Sequence, residues 1–117
     1  MAEENKNEFS EEHKETLFKI AKAQAENGDV RAYPYIAEYY ALGFGCEADM
    51  KEAAKWWLKG VEVGEPSCQY NIGIIYLNSA QNDDELKRAY ELIDAACKQN
   101  YKEVSSFMFF FQHSFLI

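Results

Sequence analysis

The stretch "ALGFGCEADMKEAAKWWLKG", residues 41–60, places two closely spaced glycines, a cysteine and a tryptophan pair within one short segment. Such a segment is typical either of a catalytic loop or of a turn between two helices. Gly43 stands where the end of a helix would turn left-handed, and Asp49 followed by Glu52 has the spacing of a capping box. Small and aromatic residues then recur at helical three- and four-residue steps: Ala53, Trp56, Trp57 and Gly60. The stretch therefore predicts a helix end, a turn and a second helix.

The same pattern occurs again 36 residues further along the chain, the separation of Gly28 and Gly64. At this offset, four positions are identical and four more are matched in size or apolar character. These pairs are Ile36/Ile72, Tyr40/Tyr76, Lys51/Lys87, Ala53/Ala89, Ala32/Cys68, Ala37/Gly73, Trp56/Leu92 and Trp57/Ile93. A single helical hairpin of this length cannot bury its apolar stripe alone, so the repeat predicts hairpins stacked into a solenoid.

The repeat divides the chain into five expected segments. They are an acidic, disordered leader (1–9), an N-terminal helix forming half a repeat (10–27), a first repeat (28–63), a second repeat (64–100) and a truncated third repeat or hydrophobic cap (101–117). Pro34 is expected to delay or kink the first helix of the first repeat, because proline lacks the amide hydrogen of a helix interior. The turn of the second repeat, "NSAQNDDELK", lacks the glycines of the first, so its geometry stays open.

The segment "DMKEAAKWWLKGVEVGEPSCQYNIGIIYLN" resembles the Sel-1-like repeat, a relative of the tetratricopeptide repeat. The residues at the characteristic family positions are Asp49, Ala53, Trp56, Trp57, Gly64, Cys68, Ile72, Gly73 and Tyr76. The resemblance covers about residues 15–100. It implies an all-α fold, a short right-handed solenoid of helix-turn-helix repeats, which works as an interaction scaffold.

Composition restricts the possible partners. The chain has 117 residues and a net charge of −8, enough for one small domain that repels phosphate backbones and anionic headgroups. Nucleic acid is therefore not an expected partner. The N-terminus has no apolar run after a basic start, which favours a cytoplasmic location.

The apolar C-terminal run is too short to span a bilayer. We expect residues 101–111 to pack on the second helix of the second repeat, against Leu92, Ile93 and Ala96. Contact with a membrane surface, or a truncation remnant, stays open for this tail.

Catalysis and metal binding are not indicated. The candidate ligands and nucleophiles are widely spaced and form no zinc pattern: Cys46, Cys68, Cys97, His13 and His113. Cys46 follows a glycine turn, but the nearby Glu47 and Asp49 disfavour a thiolate. We therefore predict no catalytic residue, no metal and no cofactor. Cys68 and Cys97 occupy small-residue positions of the repeat and are both expected to point inward on facing helices, near enough for a disulfide under oxidising conditions.

The candidate binding surface is the face of each repeat's first helix opposite its core stripe. Counting about 100° per residue places Arg31, Pro34, Glu38, Ala41, Ser67, Tyr70, Ile74 and Leu77 on this face. We take Arg31, Glu38, Tyr70, Ile74 and Leu77 as partner-binding residues of a concave groove, and call this set the groove face. The favoured function is a non-enzymatic adaptor that binds a protein or peptide. The alternatives are a secreted, disulfide-linked repeat protein with ligand-binding or hydrolytic activity, and a truncated repeat fragment.

Overall fold

A computed structural model describes residues 9–99 as a series of α-helices joined by short turns. In that range the elements are α1 (Glu11–Glu26), a 3₁₀ turn (Val30–Ala32), α2 (Tyr33–Leu42), α3 (Met50–Glu62), α4 (Pro66–Ser79) and α5 (Asp83–Lys98). No strand occurs among these residues. The predicted all-α fold is confirmed.

The helices pack as successive hairpins. Helix α2 packs against α3, and α4 packs against α5, as expected for two helix-turn-helix units. Helix α3 also packs against α4, which joins the two hairpins, and α1 packs against α2 ahead of the first. Each helix after the first therefore buries surface against its neighbours along the chain, the pattern of a helical-repeat solenoid.

The start of α2 follows from Pro34. A three-residue 3₁₀ turn occupies Val30–Ala32, and α2 begins only at Tyr33, with the proline in its first turn. Helix α4 begins at Pro66, which corresponds to residue 30 in the 36-residue repeat. Proline is tolerated in the first turn because the amides there have no partner within the helix. The predicted late start of α2 is confirmed.

The turn between α2 and α3 has the expected glycine. Gly43 adopts a left-handed conformation with φ of 73°, and its amide donates to the carbonyl of Tyr39. At the start of α3, the Asp49 carboxylate accepts the main-chain amides of Lys51 and Glu52, both at 3.1 Å. A capping box would also have the Glu52 side chain accept a hydrogen bond from the Asp49 amide, and this part of the prediction is wrong. The Asp49 amide donates to the carbonyl of Tyr40 at 2.8 Å, so it is not available to the Glu52 side chain.

The turn between α4 and α5 is shorter and uses a different cap. Only residues 80–82 separate the two helices, whereas residues 43–49 separate α2 from α3. The side chain of Asn82 accepts the amide of Glu85 at 2.9 Å. The Glu85 carboxylate in turn accepts the amide of Gln81 at 2.8 Å. Side chains thus satisfy the free amides at the start of α5, as Asp49 does for α3, and the C-cap of α4 is Ala80 rather than a left-handed glycine.

The core consists of two adjoining clusters. The first is formed mainly by α1 and the start of α2 and contains Ala21, Ala25, Ala32 and Ile36. The second joins the two hairpins and contains Ala37, Ala53, Trp57, Cys68, Ile72, Ile74 and Leu92. Half-buried Trp56 packs against both clusters, with its ring centroid 5.5 Å from that of Tyr33. The tryptophan pair therefore packs at the joint between units, as predicted.

Small residues allow the helices to approach closely. A Cβ atom added to Gly60 would overlap the side chain of Cys68, so α3 and α4 touch at this point. A Cβ added to Gly73 would lie 2.7 Å from a Cγ of Ile93, which brings α4 equally close to α5. The predicted packing of residues 101–111 against Leu92, Ile93 and Ala96 lies outside the described residues.

Candidate functional site

Helix α4 is the central element of the candidate site. It contacts α2, α3 and α5. Cys68 faces Gly60 of α3, and Gly73 faces Ile93 of α5. A helix packed on several sides leaves only a narrow surface for a partner, and this decides which groove-face residues are accessible.

The groove face on α4 is less open than the sequence predicts. Tyr70 and Leu77 are half-buried, and Tyr70 packs against the core cluster that joins the hairpins. Ile74 is 3% exposed and belongs to that cluster. The prediction that Ile74 has no core to fill is wrong, because the helical-wheel count considers one helix alone and α4 has neighbours on three elements. Tyr70 and Leu77 remain as the partly accessible apolar residues.

The groove-face residues of the first repeat are separated by the 3₁₀ turn. Arg31 lies in this turn rather than on α2, and its exposed guanidinium pairs with the Asp29 carboxylate at 3.2 Å. Hydrogen bonds from the side chain and main chain of Arg31 hold the pKa of Asp29 below its usual value. Pro34, also placed on this face by the count, is buried. Glu38 is half-buried on α2 and is the acidic member of the face.

Two carboxylates affect the buried thiol of Cys68. Burial raises the pKa of this thiol well above its usual value, and the charges of Glu65 and Glu38 raise it further. The Glu65 carboxylate also accepts the main-chain amide of Cys68 at 2.8 Å, which caps α4. Glu38 lies on α2, and α2 contacts α4 directly.

The cysteines do not form the predicted facing pair. Cys68 is buried and Cys97 is exposed, and all three cysteines are free thiols. Cys97 follows the core residue Ala96, about 100° around α5, and it is exposed to solvent. The expectation that both thiols point inward is therefore wrong. For Cys46, burial and the charge of Asp49 raise the thiol pKa, which opposes a nucleophilic role.

Two features of the hairpin α4–α5 were not predicted. Asn71 is fully buried on α4, and its side-chain amide has no hydrogen-bond partner among the described residues. A single amide within the otherwise apolar run "NIGIIYL" is the sequence signal for it. A cavity of about 450 Å³ also opens beside the turn, lined by Tyr76, Ser79, Gln81, Glu85 and Arg88. It arises from the length of the turn, which helical periodicity does not reveal.

A metal site and a membrane span each require a particular arrangement of residues. Residues 9–99 contain no cluster of three or more histidine, cysteine or acidic side chains placed to hold a metal ion. None of the helices in this range is both long enough and apolar enough to cross a bilayer.

The stacked hairpins define an all-α helical-repeat protein. A protein of Acanthamoeba polyphaga mimivirus described as sel1-like repeat-containing is 31% identical over 72 residues, which are 62% of this chain and 14% of that protein. A component of an ERAD-associated E3 ubiquitin-protein ligase from Arabidopsis thaliana is 36% identical over 64 residues, or 54% of this chain and 9% of that protein. The mimivirus relative confirms the resemblance to the Sel-1-like repeat family. No family model and no solved structure matches the chain.

Proposed function

We propose that this chain is a non-enzymatic adaptor that binds a protein or peptide through the groove face. The observation that carries the proposal is the position of Tyr70 and Leu77. Both are half-buried on α4, on a side distinct from that of Cys68, which contacts α3. Aromatic and aliphatic side chains that are partly solvated, with charged neighbours, are typical anchors of protein interfaces.

The groove face also carries charged side chains, which favours an interface with a polar rim around its apolar residues. Glu38 lies on α2, which contacts α4, and Arg31 lies in the 3₁₀ turn immediately before α2. The groove face therefore combines apolar residues of α4 with one acidic and one basic side chain of the first repeat. Ile74 supports this surface from the core. The similarity to a ubiquitin-ligase component is compatible with an adaptor role, although the chain spans only 9% of that protein.

Affinity capture with matched tyrosine variants tests the groove face. The bait is the full chain, and the variants are Tyr70→Ala and, as the control, Tyr90→Ala. Tyr90 is 59% exposed on α5 and is not part of the groove face, so its loss removes an aromatic ring without affecting the proposed contacts. Proteins retained by the parent and by Tyr90→Ala, but lost with Tyr70→Ala, are the expected result.

Thermal melting of both variants separates binding from folding. The proposal requires that a Glu38→Gln or Leu77→Ala variant with parent-like melting also weakens capture of the same proteins. Capture that is equal for all groove-face variants and the parent would contradict the proposal. A cytoplasmic location is part of the proposal, and fractionation of cells that express the chain tests it.

A further inference from the structure

The cavity beside the α4–α5 turn has an unusual polar lining. Its volume is about 450 Å³, within the usual range for small-ligand sites. Tyr76 and Ser79 come from α4, Gln81 from the turn, and Glu85 and Arg88 from α5. The site is separate from the groove face, since it shares none of its residues.

The length of the turn explains why the cavity is open. In the first hairpin the longer turn packs against the helices: Phe44 stacks on Tyr39 with ring centroids 4.6 Å apart. A Cβ added to Gly45 in the same turn would overlap the main chain of Lys14 on α1. The second turn, residues 80–82, is four residues shorter than residues 43–49 and contains no aromatic residue. It cannot fill the corresponding space.

The charge at the equivalent position is also reversed between the two hairpins. Arg88 stands where the first hairpin has Glu52, 36 residues earlier. Glu52 is neutralised by Lys55 at 2.9 Å. Arg88 has no ion pair or hydrogen bond with any of the described residues, and the same is true of the hydroxyl of Tyr76. The cavity therefore contains a guanidinium and a phenol whose donors are unused.

Two other polar groups of the lining are already engaged. Glu85 accepts a hydrogen bond from the main-chain amide of Gln81 at 2.8 Å, so its carboxylate is held by the turn. The hydroxyl of Ser79 donates to the carbonyl of Ile75 at 2.9 Å. The donors that the lining offers to a ligand are thus those of Arg88, Tyr76 and the side-chain amide of Gln81, and among them the planar guanidinium is best suited to a carboxylate.

We propose that this cavity binds a carboxylate of a peptide, held by the guanidinium of Arg88 and the hydroxyl of Tyr76. The carboxylate comes either from a chain terminus or from an aspartate or glutamate side chain. The first turn of α5 adds the negative charges of Asp83, Asp84 and Glu85, which repel a dianion such as phosphate more strongly than a singly charged carboxylate. The site would give the chain a second contact with a peptide, independent of the groove face.

An NMR titration of the full chain tests the site with three probes. N-acetyl-glycyl-glycine presents a terminal carboxylate, N-acetyl-glutamyl amide presents a side-chain carboxylate, and inorganic phosphate tests for general anion binding. The amide of N-acetyl-glycyl-glycine is the uncharged control. Saturable shifts of the Arg88 Nε–Hε signal are expected with at least one carboxylate and not with the uncharged amide. The carboxylate probe that binds more tightly shows whether the carboxylate comes from a chain terminus or from a side chain.

Two charge variants complete the experiment. Arg88→Met should weaken carboxylate binding by about tenfold or more, which corresponds to about 1.4 kcal/mol. Lys87→Met removes the same charge from the adjacent residue, which lines a different hollow on α5, and should leave binding unchanged. The proposal is overturned by the absence of saturable shifts with both carboxylates, by equal or tighter binding of phosphate, or by equal losses in the two variants.

Discussion

At the scale of single residues, Gly60 shows how the repeat sequence fixes the distance between helices. The side chain of Cys68 occupies the space that a Cβ of residue 60 would need. The family-like pattern of small residues at such positions therefore has a steric cause. Any larger residue must push α3 away from α4 or displace the thiol, and both changes disturb the core cluster around Trp57.

The contact between Gly60 and Cys68 predicts that substitutions at these two residues have non-additive effects on stability. Gly60→Ala should lower the free energy of unfolding by about 1–3 kcal/mol, because the added methyl group overpacks the joint. The cost should be partly reduced in a Cys68→Ala background, where the sulfur is removed but the Cβ atom of residue 68 still lies 2.5 Å from the new methyl group. Urea denaturation of the parent, both single variants and the double variant measures this. Additive effects in the double-mutant cycle would contradict the prediction that the Cys68 sulfur contributes to the overlap.

The thiol of Cys68 predicts a pH dependence of stability. Its pKa in the folded state is raised above the ordinary value of 9.0 by burial and by Glu65 and Glu38. Folding therefore favours the protonated thiol. This contribution is fully present below pH 9 and is lost as the pH rises, because the unfolded chain can ionise its thiol. A Cys68→Ala variant should lose less stability between pH 8 and pH 10.5 than the parent, by about 1 kcal/mol or more. Parallel pH profiles for the two proteins would contradict the prediction.

At the scale of elements, the turn between α2 and α3 packs against α1. Gly45 has a φ of 74°, and a Cβ there would also overlap the main chain of Lys14. The turn therefore packs directly on α1 and supports it. The shorter turn after α4 has no comparable residues, and a cavity remains beside it.

Gly45 and Gly64 have similar left-handed backbones, but only Gly45 lacks space for a Cβ atom. Comparing alanine substitutions at the two positions therefore distinguishes the cost of backbone strain from that of steric overlap. Gly64 has a φ of 77°, close to that of Gly45, but an added Cβ there would meet no atom within 4 Å. Gly64→Ala should cost about 1 kcal/mol from the left-handed backbone alone, and Gly45→Ala should cost about 1–3 kcal/mol more. Hydrogen exchange should also show weaker protection of α1 in Gly45→Ala. Equal costs for the two variants would mean that α1 does not pack on this turn.

The sequence predicted most of the elements because caps and periodicity act locally. Gly43, Asp49 and the 36-residue offset are sufficient to locate the hairpin and its buried positions. Errors arose where the neighbours of a helix differ from those assumed. Ile74 was placed on the surface because the count ignores what packs on α4. Cys97 was placed inside because it stands 36 residues after Val61, which packs against the core, but at this point of α5 the side chain is exposed.

At the scale of the whole molecule, the two hairpins share one core rather than having one each. Trp57 belongs to α3 but packs in a cluster with Cys68 and Ile72 of α4. Trp56 connects this cluster to the one formed by α1 and α2. Stability in such a solenoid depends on the interfaces between units, so the described hairpins are expected to unfold together.

Truncation of the buried tryptophan tests this shared core. Trp57→Ala should lower the free energy of unfolding by about 3–5 kcal/mol, because a fully buried ring leaves a large cavity. Both hairpins should melt in one transition at a lower temperature. The partly exposed Leu58 provides a neighbouring control, and Leu58→Ala should have a much smaller effect. A Trp57→Ala variant that melts like the parent would show that the joint does not determine stability.

The two repeat units stack through the contact between α3 and α4, and this stacking brings α2 and α4, which carry the groove face, into one structure. The most direct measurement is a nuclear Overhauser effect between the α-protons of Gly60 and the β-protons of Cys68 in the labelled full chain. The described geometry predicts a strong cross-peak, since a Cβ on Gly60 would overlap the Cys68 side chain. Assigned helical spectra for both residues without any cross-peak between them would contradict the stacking of the two hairpins.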